Sequence, residues 1–210
     1  MKKTTIVLLV VLGAILVLGF AVAGSYNSMV SLSQGVDMQW AQVQNVYQRR
    51  ADLIPNLVNT VAGAANFEKS TLEAVTQARA SVGQVKIDPS KAPTDPAQLA
   101  AFQQAQDGLS SALSRLLVVA ERYPDLKATA NFRDLQAQLE GTENRITVER
   151  QKFNTAVQGY DTAIQQFPGV IVARLGGFVS KPYFTATAGS ETPPKVNFDF
   201  SGAKPAATNP

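Results

Sequence analysis

Trp40 to Val58 reads W-A-Q-V-Q-N-V-Y-Q-R-R-A-D-L-I-P-N-L-V, and its two halves carry opposite instructions. In the front half Trp40, Val43 and Tyr47 step by three and four, the spacing of one helical face. In the back half Asp52 suits an N-cap, and Pro55 follows where a helix interior would lose about 3 kcal/mol to a proline. The pattern predicts one helix ending near Arg50 and a second beginning at Asp52, with a turn between them.

Backwards from Trp40, the same face continues through Val36, Met29 and Tyr26, interrupted only by Ser33, which makes a coiled-coil-type seam. Ahead of it, Ile6 to Gly24 contains no charge and no strongly polar side chain. As a helix this run covers about 28 Å, close to the hydrocarbon thickness of a bilayer. Ile6, Leu12, Leu18 and Ala23 mark it as a membrane anchor. Lys2 and Lys3 precede it and no Lys or Arg follows before Arg49, so the charge asymmetry predicts a cytoplasmic N-terminus and an external domain. Ala21-Val22-Ala23 also fits a signal-peptide cleavage pattern; the length of the run and the helical spacing beyond it favour an uncleaved anchor.

Forwards from Asp52, the second helix carries Ile54, Leu57, Val58, Val61, Ala65, Leu72, Val75 and Val82 on one side. Gly83 to Pro96, with three prolines, is a loop. Asp95-Pro96 with Gln98 reads as N-cap, first-turn proline and capping-box partner of a third helix, whose stripe is Phe102, Leu109, Leu113, Leu116, Ala120 and Tyr123. Pro124 closes it. Asn131 is the expected N-cap of a fourth helix in which Phe132, Leu139, Ile146, Phe153, Tyr160 and Phe167 recur every seven residues. So strict a heptad implies a left-handed supercoil. After Phe167-Pro168-Gly169 the helical pattern stops, and Val170 to Phe184 is apolar and aromatic.

The expected architecture is all-α: an N-terminal transmembrane helix, then an antiparallel up-and-down four-helix bundle with coiled-coil-like packing. The segments are 1–24, a cytoplasmic stub and anchor; 25–168, the bundle; 169–188, a membrane-proximal apolar and aromatic piece; and 189–210, a flexible tail. The alternating direction predicts that Arg49 to Asn56 and Glu121 to Lys127 meet at the tip farthest from the bilayer. Val170 to Phe184 should return towards the membrane, either covering the end of the bundle or lying on the lipid.

Composition narrows the function. The 210 residues include neither Cys nor His, which removes thiolates, disulfides and the commonest general base and metal ligand. Removing Lys2 and Lys3 from the 19 basic residues leaves 17 against 16 acidic ones, so the domain carries no footprint for nucleic acid. No G-x-S-x-G, S-x-x-K or glycine-rich phosphate loop occurs, and the chain reads as non-enzymatic with no cofactor. Glu140, Glu143 and Asn144 invite a metal reading, but carboxylate-bridged centres in bundles also use Glu-x-x-His; capping and pairing is the favoured role. Arg49, Arg50, Asp52, Arg122 and Asp125 form the candidate partner surface, or else ion pairs and caps of the turns.

Several stretches carry a family likeness: Y-N-S-M-V (Tyr26 to Val30), Trp40 to Val58, L-S-R-L-L-V-V-A-E-R-Y-P-D-L-K (Leu113 to Lys127), L-E-G-T-E-N-R-I (Leu139 to Ile146), K-P-Y-F (Lys181 to Phe184) and P-K-V-N-F (Pro194 to Phe198). In these the chain resembles the LemA family of bacterial membrane proteins. The resemblance implies a single N-terminal transmembrane helix in the bacterial cytoplasmic membrane and a helical bundle outside it, and assigns no activity. It also implies partners among envelope or membrane proteins, membrane metalloproteases included, because family members tend to be encoded beside them. Asn66-Phe67 departs from the Tyr-Ala-rich segment expected there. Two functions follow: an interaction or scaffold module of the cell envelope, or an extracytoplasmic sensor of small molecules or ions acting through a partner membrane protein.

Overall fold

A computed structural model describes residues 3–63 and 67–186, and every regular element in them is helical. The tail 189–210, the P-K-V-N-F stretch, Ala65 and Asn66 lie outside the described residues. The helices are α1 (Lys3–Ala62), α2 (Lys69–Gln84), α3 (Pro96–Ala120), α4 (Pro124–Ala128), α5 (Ala130–Gln165) and α6 (Gly169–Gly176).

The expected break at Asp52 does not occur. α1 is one helix of 60 residues with Pro55 inside it. A proline there cannot donate to the carbonyl four residues back, which is Ala51. Arg79 of α2 supplies the missing donor, its Nε lying 3.3 Å from Ala51 O. Asp52 therefore caps nothing; it accepts from Gln48 Nε2 at 2.7 Å within the same helix. The chain turns instead between Ala62 and Lys69, and the predicted second stripe is split, with Ile54, Leu57 and Val61 on α1 and Val75 on α2.

The first part of α1, including Ile6, Leu12, Leu18 and Ala23, packs against no other described element, its side chains exposed, and is long and apolar enough to cross a membrane. From Met29 the helix enters the core without interruption: Met29, Val36, Trp40 and Val43 are all at most 1% exposed. Gly24 to Ala62 spans about 57 Å of continuous helix.

α1 packs mainly along α5, and α2 along α3. Partner numbers fall along α5 as they rise along α1: Gln39 bonds Glu149 at 2.6 Å, and Arg50 bonds Glu143 at 2.5 Å. On α5 the heptad residues Phe132, Leu139, Ile146, Phe153 and Tyr160 are buried as expected. Phe167 is not: the helix ends at Gln165, and the ring is 81% exposed. Its N-cap is Thr129 rather than Asn131, with Thr129 Oγ1 accepting from Phe132 N at 3.4 Å. At α3 the Asp95 cap and Pro96 stand as read, with Asp95 Oδ1 accepting from Ala97 N at 2.9 Å. Gln98 does not complete a capping box; it donates to Lys86 O at 3.0 Å and holds down the α2–α3 loop.

Val170 to Leu175 is helical, as α6, contrary to the expected end of helical structure at Phe167. Gly169 permits its close seat, because a Cβ there would come 2.8 Å from Met29 Cε and 2.3 Å from Ala163 O. Gly177 then ends it at φ 71°, the left-handed cap that glycine adopts without strain. From there residues 178–186 run without regular structure back along α1. Phe178 meets Tyr26 at 5.3 Å and Phe184 meets Trp40 at 6.2 Å between ring centroids. Six residues of extended chain and fourteen residues of helix both measure about 20 Å, so this strap is close to fully stretched. Of the segment Val170 to Phe184, α6 and the strap's start lie near the apolar run, while Lys181 to Phe184 climb away from it.

Candidate functional site

Arg50, expected on a surface, is 1% exposed. Its guanidinium joins three helices: Nη1 donates to Glu143 Oε1 of α5 at 2.5 Å and to Ser110 Oγ of α3 at 2.7 Å. Nη2 donates to the backbone and side-chain oxygens of Gln106, and the group lies 5.1 Å from the Tyr47 ring centroid. A planar cation with five donors suits such a junction, where lysine would satisfy fewer acceptors. Arg50 thus clamps the core, and it is too enclosed to dock a partner. Burial raises the Tyr47 hydroxyl pKa; Arg150 and Arg50 oppose the shift, and Asp107 and Glu143 add to it.

Glu143 faces outwards as well, its side chain 41% exposed, beside Glu140, Asn144, Ser110 and Ser114 in an open groove of about 460 Å³. Glu140 accepts from Gln136 Nε2 at 3.0 Å. Among the described residues no three carboxylates converge as a metal site would require.

The other four candidates separate into two places. Arg122 and Asp125 line an open pocket of about 590 Å³ at the end of the molecule, with Thr60, Gly63, Thr129 and Asn131. Arg122 Nη2 pairs with Glu68 Oε1 at 3.1 Å, and Lys127 pairs with Glu121 beside it. Arg49 and Asp52 are not there. Because α1 continues to Ala62, Asp52 lies about 15 Å of helix below its end. Arg49 sits on the flank, 3.4 Å from Gln138 Oε1 of α5. The predicted meeting of Arg49 to Asn56 with Glu121 to Lys127 is therefore corrected: the residues that meet Arg122 and Asp125 are Thr60 and Gly63.

Reading the sequence missed the most polar part of the interior, the seat of the strap. Lys181, 6% exposed, extends Nζ to Asp37 Oδ1 of α1 at 2.8 Å, and Asp37 also accepts from Ala92 N at 3.0 Å. Asp161 of α5 accepts from Ser180 Oγ at 2.6 Å and from Lys181 N at 3.2 Å. Two side-chain amides then hold the strap's backbone. Asn154 donates to Phe184 O and accepts from Phe184 N, both at 2.9 Å. Gln103 does the same for Thr185 at 2.7 and 3.4 Å. Phe184 closes over Trp40 and Phe153. Tyr160 donates its hydroxyl to Val179 O at 2.9 Å; burial raises its pKa, helped by Asp161 and Asp37. The signal present in the sequence was Asp161 inside a strongly patterned helix and Lys181 within an aromatic run. Neither has a place on a helical stripe, so periodicity passes over both.

In these clusters Arg50, Asp37, Asp161 and Lys181 are each engaged in contacts that hold the fold together. A family model described as the LemA family matches residues 39–198. The chain belongs to the LemA family. It is similar to magnetosome protein MamQ of Magnetospirillum gryphiswaldense, 26% identical over 183 residues that cover 80% of this chain and 67% of the relative. Magnetosome protein MamQ 2 of Paramagnetospirillum magneticum matches with the same identity and coverage. Protein LemA of Metamycoplasma hominis is 24% identical over 148 residues, 70% of this chain and 63% of that protein.

Proposed function

We propose that this chain is a single-pass membrane protein, N-terminus cytoplasmic, whose extracytoplasmic antiparallel four-helix bundle serves as a non-enzymatic interaction or scaffold module of the bacterial cell envelope. The observation that carries this reading is the unbroken α1. A helix that runs from the apolar segment to the far end of the core mounts the tip pocket rigidly, about 57 Å from where the apolar run ends. The four bundle helices are α1, α2, α3 and α5, with coiled-coil-like packing where α1 lies along the α5 heptads. Arg122 and Asp125 at the tip are the docking residues, and Arg49 and Asp52 belong to a secondary flank. The partner is another envelope or membrane protein, and the family likeness puts a membrane metalloprotease among the candidates.

The test is a photo-crosslinking residue placed in living cells at Arg122, Asp125, Arg49 and Asp52. Discrete adducts at the first two support tip docking; none at any position removes it. A second reading, a sensor of small molecules or ions acting through a partner, draws on the tip pocket, whose volume is in the range of ligand sites. A thermal-shift screen of metabolites and divalent ions discriminates, since stabilisation is expected under the sensor reading alone.

A further inference from the structure

Among the large apolar side chains exposed on the domain, two sets contrast. Met38, Val118 and Val148 are scattered singly, as on any protein surface. Phe167, Ile171, Leu175 and Val179 instead crowd into thirteen residues around α6, at 81%, 53%, 84% and 56% exposure. α6 has two faces. Val172 and Ala173 are buried against the core, while Ile171 and Leu175, four residues apart, share the opposite side.

The position of α6 says what covers that side. Gly169 abuts Met29 and Gly176 abuts Tyr26, within about 8 Å of helix beyond Gly24, where the uncharged run ends. Both ends of α6 thus reach the same short stretch of α1, through the tips of the Met29 and Tyr26 side chains. Where α1 leaves a membrane, the outward side of α6 at that height faces the lipid boundary. Arg174, exposed in the last turn, supplies the cation that reaches phosphate headgroups from such a position.

We propose that Phe167, Ile171, Leu175 and Val179 form a second membrane contact, seated in the headgroup–acyl boundary of the leaflet from which α1 emerges. This rests on reading Ile6 to Gly24 as a membrane span. The contact would hold the bundle upright and fix its rotation about the α1 axis, which a single spanning helix, free to tilt and spin in the bilayer, does not.

The chain has no cysteine, so single labels are straightforward. Full-length protein carrying an environment-sensitive fluorophore at Ile171→Cys, Leu175→Cys, Leu16→Cys or Val118→Cys is reconstituted into phosphatidylethanolamine–phosphatidylglycerol vesicles, with and without brominated acyl chains. At least a twofold loss of emission is expected from bromolipid at positions 171, 175 and 16, and none at 118. Quenching at 16 with 171 and 175 silent overturns the proposal and leaves the anchor intact. Silence at 16 overturns the anchor reading and this contact with it. A second copy docked on this face would shield 171 and 175 from aqueous dithionite without bromolipid quenching, which also overturns the proposal.

Discussion

The core around Trp40 and the core around Leu116 are closed in different ways. The first is aromatic: Trp40, Tyr47, Phe102, Phe153, Tyr160 and Phe184 meet there, and the strap covers it. The second is mostly aliphatic, built on Leu53, Ile54, Leu57, Val61, Leu109, Leu113, Leu116 and Leu139 with Phe132, and among the described residues no strap covers it; an open pocket lies beyond it. Arg50 lies at the seam, between Tyr47 of one and Leu53 of the other. Rings in edge contact and paired amides constrain orientation directly, whereas an aliphatic core is held by shape and volume. The half nearer the apolar segment is thus tied down by directional contacts, and the distal half chiefly by packing.

The sharpest way to break that contrast is to empty each core. Trp40→Ala removes a side chain at 0% exposure and is expected to cost about 3–5 kcal/mol in urea unfolding. It should also raise amide hydrogen exchange across 178–186 by tenfold or more. Leu116→Ala is expected to cost about 2–4 kcal/mol while leaving strap protection unchanged. Equal deprotection of the strap by both would mean that the two halves open as one unit.

The seam comes next, and here the two partners differ. Glu143→Ala strands the buried Arg50 charge, and a loss of about 3 kcal/mol is expected. Arg50→Met leaves a carboxylate that is 41% exposed and hydrates readily, so the loss is smaller, about 1–2 kcal/mol. Reversal of that order in denaturant titrations would place the clamp outside the closed core.

Arg79 supports the distal half more weakly. Arg79→Ala exposes the Ala51 carbonyl and is expected to cost about 1 kcal/mol in thermal or urea unfolding. In a Pro55→Ala background the helix supplies its own donor, and the same substitution should cost nothing. A cost that persists in the double variant removes Arg79 from that role.

Pro55 is also where reading the residues failed most instructively. A proline costs a helix its hydrogen bond only if no other donor arrives, and the donor came from a residue 24 positions later in another helix. No local rule contains that distance. The heptads of α5 and the Asp95-Pro96 start of α3 were legible because periodicity and capping are local. LemA-family membership, read from several motifs in order, was legible too. Where the candidate residues sit was legible in part. Arg122 and Asp125 lie at an end pocket, but Arg50 looked like a surface charge because a buried cation differs from an exposed one only in what surrounds it. The strap's seat depends on Asp37, Lys181 and Asp161, which are distant in sequence and brought together by the fold alone.

The smallest expected effect uses pH to separate the halves. Tyr47 and Tyr160 both belong to the aromatic core, and burial is the first cause holding each pKa above its ordinary value near 10. The folded state therefore keeps these protons after the unfolded chain begins to release them. Stability from this source is complete below about pH 10 and falls as pH rises further. The loss is under about 1 kcal/mol per tyrosine near pH 10.5. Trp40, the sole tryptophan, sits among these rings, so its fluorescence reports the aromatic half alone. Between about pH 10 and 11 its unfolding midpoint in urea should fall sooner than the midpoint followed by far-UV dichroism. Tyr47→Phe, which retains the ring and removes the titrating hydroxyl, should narrow that gap. If the two midpoints move together in the parent and the variant alike, the alkaline response belongs to the whole bundle, and the division into a directionally held half and a packed half fails.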